Sequence, residues 1–322
     1  MDAASYARAG QYLGAGLAMG FGAIGAALGE GMTGGFTNRA ISRRVSMTPY
    51  LTRTMLVAQA VAETSGIFAL MVAILLLFTK MADQGPSAWA AAIGAGLSIG
   101  LGAFGSGIGS GYPGAEATWG VSRQPAIAPQ MMTNMLVSQA VCQTPAIFAL
   151  VVSFLLIFMD YSSDPMWPYS AALLGAGLSM GIGAIGSGWG GGETGGAACK
   201  AFARHPRTKT SMMTMMLVGQ AVGQTPSIFS LMVAFMLIFG NYTGQLSLHS
   251  TIAPLAAGIC MGFGALGPGY GNGLTSAKAC EALSMRPQNS GLIMRTMLVA
   301  QAVAQSTAIY ALVIAFVLIF VV

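Results

Sequence analysis

The sequence repeats itself four times, and each repeat holds two long apolar segments. The tripeptide Gln-Ala-Val begins at Gln59, Gln139, Gln220 and Gln301, at spacings of 80, 81 and 81 residues. Eight segments exceed the roughly 20 apolar residues that a membrane helix needs, namely 9–38, 51–79, 88–119, 131–159, 169–199, 211–239, 251–280 and 292–322. We therefore predict an all-α membrane protein whose eight transmembrane helices form four tandem hairpins, numbered 1 to 4, at 1–84, 85–165, 166–246 and 247–322.

The composition excludes the other broad classes of protein. Only 7% of the residues are charged, whereas a soluble domain averages about 25%. The apolar content of 55% excludes a disordered chain. The four cysteines show no CxxC spacing and are interpreted as small core residues. No basic region leading to a cleavage site opens the chain, so we expect the first span to be retained.

The basic residues predict the orientation of the hairpins. Of the 14 Lys and Arg residues, only Arg8 and Lys80 lie away from the hairpin loops. By the positive-inside rule the loops lie in the cytoplasm or matrix, which places the protein in a bacterial or organellar inner membrane. The net charge of +5 is thus a topology signal, and we expect no nucleic-acid partner. The twelve basic residues near the loops are Arg39, Arg43, Arg44, Arg53, Arg123, Lys200, Arg204, Arg207, Lys209, Lys278, Arg286 and Arg295.

Glycine occupies alternate positions in the first helix of several hairpins. The runs are 105–111, 186–192 and 267–273, and the residues between the glycines are mostly small or apolar. Small residues let membrane helices approach closely, and this spacing clears two flanks of one helix. The pattern predicts an inner ring of like helices rather than a flexible loop. A dinucleotide-binding motif fits less well because no strand precedes the glycines.

Three features together resemble the c subunit of rotary F-type ATPases. They are the glycine-rich inner helix, the Arg-Gln-Pro loop at 123–125, and the outer-helix sequence Gln-Ala-Val-Ala-Glu-Thr-Ser-Gly-Ile-Phe-Ala-Leu that begins at Gln59. The resemblance extends over all four repeats. It implies a rotor ring that contains further copies of this chain, surrounded by membrane lipid, and that turns against a stator a subunit. It also implies that the loops contact a central stalk through Arg43, Arg123, Arg204 and Arg286. Four fused hairpins are a departure, because the family's ordinary chain is one hairpin.

By this resemblance, the ion-carrying carboxylate is Glu63. A charge at the bilayer centre costs about 2.5–3.5 kcal/mol on insertion scales and usually marks an ion pathway. The matching residues of the other hairpins are Gln143, Gln224 and Gln305. Glutamine keeps hydrogen bonds but cannot release a proton, so we expect these three hairpins to be silent in transport.

The inner helix of hairpin 1 contributes a second carboxylate to the predicted site. Counting 13 residues back from each loop arginine gives Glu30, Ser110, Gly191 and Gly273. Hairpin 1 resembles the sodium-type members of the family, which have Gln or Glu on the inner helix and Glu-Ser or Glu-Thr on the outer helix. Several oxygen groups at one place suit a hard cation such as Na⁺. Two close carboxylates should share one proton, so bound Na⁺ would leave the site neutral. By resemblance the ligand set comprises Glu30, Val61, Glu63, Thr64 and Ser65, with a neighbouring hairpin supplying the carbonyl of Val141 or Val303 and the hydroxyl of Thr144 or Ser306.

The identity of the ion and the mode of operation stay open at this stage. We favour Na⁺, and the alternative is a proton-only site in which Glu30 is a hydrogen-bond partner. If three chains closed a ring of twelve hairpins, one turn would move three ions, and the resemblance implies three ATP per turn. One ion per ATP suits an ATP-driven pump better than synthesis, because an ion crossing 100 mV yields only about 2.3 kcal/mol.

Other functions fit the sequence less well. We expect no catalysis by this chain alone and no cofactor apart from the transported ion. A channel-like or structural proteolipid without a rotary partner is the main alternative, and a secondary transporter ranks below it. Three further acidic residues, Glu116, Glu193 and Glu281, are interpreted as structural.

Overall fold

The computed structural model describes residues 3–81, 85–161, 166–241 and 248–321. Within these ranges the fold consists of helices, and no strand occurs. All eight α-helices are long and apolar enough to cross a membrane, which confirms the predicted fold class. The α-helices are α1 (Ala3–Arg43), α2 (Thr48–Phe78), α3 (Ala88–Arg123), α4 (Ala128–Phe158), α5 (Met166–Arg204), α6 (Lys209–Phe239), α7 (Leu248–Met285) and α8 (Ser290–Phe320).

A single turn of 3₁₀ helix joins the two helices of each hairpin. The four turns are Val45–Met47, Pro125–Ile127, Pro206–Thr208 and Pro287–Asn289. Three of them begin with proline, which has no N–H to continue the preceding helix and a φ suited to the first turn of a new one. The chain therefore reverses within a few residues, and the two helices of a hairpin lie antiparallel.

The helices form two layers, and the four hairpins stand side by side in chain order. The odd-numbered helices pack closely on one another as α1, α3, α5 and α7, and the even-numbered helices lie behind them. A Cβ added at Gly105 would lie 2.5 Å from the Cα of Ile185 on α5, and one added at Gly107 would lie 2.5 Å from the carbonyl carbon of Gly25 on α1. Glycine on two flanks of α3 therefore permits the backbone contacts on both sides, as the alternating spacing predicted.

The row of hairpins has one open edge at hairpin 1. Only 39% of the most apolar stretch of α1 is buried, against 83% for α5 in the middle of the row. No atom lies within 4 Å of a Cβ built at Gly16 or Gly20. The equivalent residues of hairpin 2, Gly96 and Gly100, pack against α1. The flank of α1 that carries Gly16 and Gly20 thus has the form of a surface for a preceding inner helix.

The second open edge lies at hairpin 4. Only 11% of the most apolar stretch of α8 is buried, against 50% for α4 and α6. A Cβ built at Gly267 or Gly271 on α7 also meets nothing within 4 Å, whereas Gly105 and Gly109 at the same positions of α3 pack against α5. This edge therefore has the form of a surface for a following inner helix, complementary to the edge at hairpin 1.

Candidate ion-binding sites at the junctions between hairpins

The junction between hairpins 1 and 2 shows the repeated site in its enclosed form. Gln143 on α4 is 5% exposed, and its Nε2 donates to the Oγ of Ser110 on α3 at 2.8 Å. The same Nε2 donates to the backbone carbonyl of Val61 on α2 at 3.0 Å. Each site thus draws on the inner and outer helices of its own hairpin and on the outer helix of the preceding one.

The junction between hairpins 2 and 3 has the same plan with one group missing. Nε2 of Gln224 donates to the carbonyl of Val141 at 3.4 Å, and Gln224 is 6% exposed. The inner-helix position holds Gly191, where a Cβ would lie 3.7 Å from that Nε2. Hairpin 3 therefore offers this amide no side-chain oxygen comparable to that of Ser110.

The assignment of Gly273 to the site of hairpin 4 is wrong, and the equivalent residue is Asn272. Nε2 of Gln301 donates to the carbonyl of Asn272 at 3.2 Å, a separation of 29 residues that matches the bond from Gln59 to Glu30. The error arises because Arg286 lies one residue beyond the end of α7, whereas Arg43 is the last residue of α1. The Asn272 side chain is fully buried, and within the described part of the chain neither of its amide atoms has a hydrogen-bond partner.

Hairpin 1 presents both carboxylates at the open edge of the row. Glu63 on α2 is exposed and Glu30 on α1 is half-buried, and the Gln59 amide, one helical turn before Glu63, donates to the Glu30 backbone carbonyl at 3.0 Å. The neighbouring hydroxyls donate within α2, from Thr64 to the carbonyl of Ala60 at 3.2 Å and from Ser65 to that of Ala62 at 3.0 Å. The structure thus brings Glu30 and Glu63 together, and the Ser65 hydroxyl is buried in a bond of its own helix.

The order of the hairpins decides which valine each site uses. The Val61 carbonyl accepts from Gln143 and the Val141 carbonyl accepts from Gln224, so each valine serves the hairpin that follows it. Val141, one of the two predicted neighbours of Glu63, therefore belongs to the site of Gln224. Thr144 lies on the same helix as Val141, next to Gln143. At the open edge of hairpin 4, Val303 is 68% exposed, and its carbonyl accepts from the Ser306 hydroxyl at 2.7 Å.

A row of buried glutamines lies one helical turn before these sites; in the sequence these residues are recognisable only as a marker of the repeat. Gln139 donates to the carbonyl of Ser110 at 2.8 Å and to that of Ala58 at 3.0 Å. Gln220 and Gln301 likewise reach a carbonyl of their own inner helix and a backbone carbonyl of the preceding outer helix. Each amide therefore ties three helices together. A polar residue recurring four times in apolar helices was the signal for this role.

These features define a class of membrane protein, built of tandem helical hairpins with a glutamine or glutamate at the equivalent site position of each outer helix. Comparison with protein families shows which one: the family of the ATP synthase C subunit matches residues 13–76, 93–156, 174–237 and 255–318. The chain belongs to this family, whose members form the rotors of rotary ATPases.

Related proteins include both fused and single-hairpin forms. The chain is 32% identical over 208 residues to the K subunit of the A-type ATP synthase of Methanocaldococcus jannaschii, a match that covers 64% of this chain and 87% of that protein. It is 50% identical over 68 residues to the ATP synthase c subunit of Thermotoga petrophila, covering 21% of this chain and 80% of that protein. The equivalent protein of Petrotoga mobilis is 49% identical over 69 residues, which are 21% of this chain and 72% of the relative.

Proposed function

We propose that this chain is a rotor-ring subunit that carries one ion per chain on Glu63, across the junction between two copies of itself. The observation that carries the proposal is the enclosed site around Gln143. Its buried, uncharged and hydrogen-bonded side chain has the arrangement that we expect of a neutral, ion-loaded site. Hairpin 1 has the same plan with Glu63 in place of the glutamine and Glu30 in place of Ser110. Of the four outer-helix positions, only that of Glu63 can alternate between a charged and a neutral state.

The site of Glu63 needs the outer helix of a preceding hairpin, and that place beside hairpin 1 is open in the single chain described. By the order seen at the other junctions, that hairpin is hairpin 4 of another copy, which supplies the Val303 carbonyl and the Ser306 hydroxyl. The complementary open edges at Gly16 and Gly20 and at Gly267 and Gly271 support this arrangement. Such a head-to-tail contact repeats from copy to copy and closes into a ring. We define the contact between hairpin 4 of one copy and hairpin 1 of the next as the chain junction.

The oxygen groups at the chain junction suit Na⁺. Glu30, Glu63, a backbone carbonyl and a hydroxyl are hard ligands of the kind that such cations prefer. Two carboxylates that share one proton carry a single negative charge, so one Na⁺ makes the loaded site neutral. A neutral site can face lipid without the cost of a buried charge. A proton carried by Glu63 alone is the competing form of the same mechanism.

We further propose that the complex works as an ATP-driven pump. Three chains would give a ring of twelve hairpins with three ion sites, hence one ion per ATP if one turn processes three ATP. At 200 mV an ion crossing the membrane yields about 4.6 kcal/mol, which is well below the cost of ATP synthesis. The hairpin loops then face the central stalk on the cytoplasmic or matrix side, and the outer helices face the stator a subunit.

Carbodiimide labelling of the assembled ring tests the ion site. We expect modification of Glu63 at neutral pH, protection by Na⁺, and no labelling of the Glu63→Gln variant. Labelling that Na⁺ leaves unchanged would reject sodium coupling and favour the proton form. The mass of the intact ring tests the assembly: ordinary single-hairpin proteins mixed with this chain would overturn the pump argument.

A further inference from the structure

We propose that Arg39 of one copy and Glu281 of the preceding copy form an ion pair across the chain junction. The proposal rests on the ring assembly proposed above and identifies a contact that holds it closed. The partner is a second copy of this chain. The pair lies on the inner-helix face near the hairpin loops, away from the ion site.

The repeat places the two residues at the same level. Arg39, Trp119, Lys200 and Glu281 follow one another at 80, 81 and 81 residues, the same spacing as the buried glutamines. Each therefore occupies the equivalent position of its inner helix. In a ring, the residue that follows Glu281 at this level is Arg39 of the next copy.

Contacts within the chain show that neighbours at this level reach each other. The guanidinium carbon of Arg39 lies 4.8 Å from the centre of the Trp119 ring on the next inner helix. This cation–π contact leaves the N–H groups of Arg39 free to donate, and a guanidinium has five of them. Arg39 is exposed, and the one ion pair found within the described residues does not involve it.

Glu281 lies on the inner-helix side of hairpin 4, in a groove that Glu193 and Lys200 also line. Its carboxylate already accepts from Lys278 at 2.9 Å, with the glutamate side chain 26% and the lysine side chain 75% exposed. A carboxylate has about four acceptor positions, so it can bind Arg39 in addition. A partly shielded carboxylate that meets a planar guanidinium forms the stronger, bidentate kind of ion pair.

The charges of the two edges require an anion at this place. Near the loops, hairpin 1 carries Arg39 and Arg43, and hairpin 4 carries Lys278 and Arg286. Glu281 is the only acidic residue of 247–322. Without it, the end of the chain junction near the loops would bring together cations alone, and like charges across an interface oppose association. Glu281 therefore has a specific role in the assembly, in contrast to the generic structural role expected from sequence.

Charge reversal in the full-length chain tests the pair. Rings of the wild type, Arg39→Glu, Glu281→Lys and the double exchange would be purified, and their dissociation into chains followed by native mass spectrometry at low salt. We expect each single reversal to speed dissociation roughly two- to fivefold, the range expected of an exposed ion pair. The double exchange should restore the wild-type rate, and high salt should reduce the difference by screening.

A matched control and a cross-link make the outcome decisive. Glu193→Lys reverses an acidic residue of α5 that lies away from the chain junction, and its dissociation rate should stay near wild type. Arg39→Cys paired with Glu281→Cys should cross-link adjacent chains, whereas Arg39→Cys paired with Lys200→Cys should not. A wild-type chain that forms no ring would refute the proposed function. A stable ring in which neither reversal speeds dissociation and the junction cysteines fail to cross-link would refute the ion pair alone.

Discussion

Replacing Gln143 by glutamate should create a second ion site inside a single chain. The Gln143 amide now donates to the Val61 carbonyl at 3.0 Å and to the Ser110 hydroxyl at 2.8 Å. An ionised carboxylate in the same place has no proton to donate, so the Val61 carbonyl would lose its partner and face another oxygen. A proton or a cation placed between the two oxygens removes the conflict.

The contacts of Gln143 allow an estimate of the free-energy difference between the empty and the loaded form of this new site. An unsatisfied buried acceptor costs about 1–3 kcal/mol, and a charge at the membrane centre costs about 2.5–3.5 kcal/mol. The empty, ionised site is thus roughly 3.5–6.5 kcal/mol less stable than the loaded one. Because about 1.36 kcal/mol corresponds to a factor of ten, the loaded form should outnumber the empty form by a factor of several hundred or more. We therefore expect the new glutamate to stay loaded when no stator is present.

Carbodiimide labelling of Gln143→Glu in a Glu63→Gln background measures whether the new glutamate is loaded. In buffer without Na⁺, where the new carboxyl is loaded with a proton, we expect one label per chain, in the dissociated chain as well as in the ring, because hairpins 1 and 2 belong to the same molecule. The matched control is Gln224→Glu, whose inner helix has only Gly191 at the site; it should hold its ion less tightly. With Glu63 retained, Gln143→Glu should double the number of ions moved per ATP.

One result would refute this reasoning. If folded Gln143→Glu chains were labelled only after assembly into rings, the enclosed site between hairpins 1 and 2 would not be a functional equivalent of the site at Glu63. The direction of the repeat, in which each hairpin uses the carbonyl of the hairpin before it, would then also be wrong.

Three other predictions follow from contacts described above. Glu63→Gln should abolish ATP-driven ion uptake into vesicles and leave the ring mass unchanged. Gln139→Met should lower the free energy of unfolding of the single chain by about 1–2 kcal/mol, and Gln59→Met should lower it by about half as much. The reason is that Gln139 makes two interhelical hydrogen bonds and Gln59 makes one. Denaturation by SDS, followed by circular dichroism, measures both free energies. Gly105→Leu should prevent folding, whereas Gly267→Leu should fold and fail to form rings, as judged by circular dichroism and native mass spectrometry.

Each of these predictions has an outcome that contradicts it. Ion uptake by Glu63→Gln would assign transport to another residue. Equal losses of stability at Gln59 and Gln139 would show that the second hydrogen bond contributes nothing. Normal ring formation by Gly267→Leu would mean that α7 is not a surface for another copy, since the glycine has open space only in the isolated chain.

Most of the fold could be predicted because a bilayer imposes simple demands. The length of the apolar segments predicts the helices. The Gln-Ala-Val tripeptide, which recurs every 80 or 81 residues, predicts the four hairpins. Glycine on alternate positions of α3 indicated close packing on two flanks, as Gly105 and Gly107 show. These properties depend on local sequence, so a single sequence is sufficient to predict them.

The details of the sites depended on register and handedness, which local sequence does not reveal. The loop arginine was a poor reference point, because Arg286 lies outside its helix and the true equivalent of Glu30 became Asn272. Whether Val141 or Val303 serves Glu63 depends on which side of each hairpin its neighbour stands. The bonds of Gln143 and Gln224 supply that direction. The role of Gln139 was missed because its partners are backbone carbonyls, which every sequence contains.

The fusion of four hairpins into one polypeptide restricts the geometry of any ring made from it alone. Such a ring grows in steps of four hairpins, and the interval between ion-bearing positions is the same everywhere around it. Separate hairpins with and without a carboxylate would assemble in random order and give uneven intervals. In such a ring the covalent linkers would fix the order of the hairpins, so that the proposed ion sites would pass the stator at regular angles.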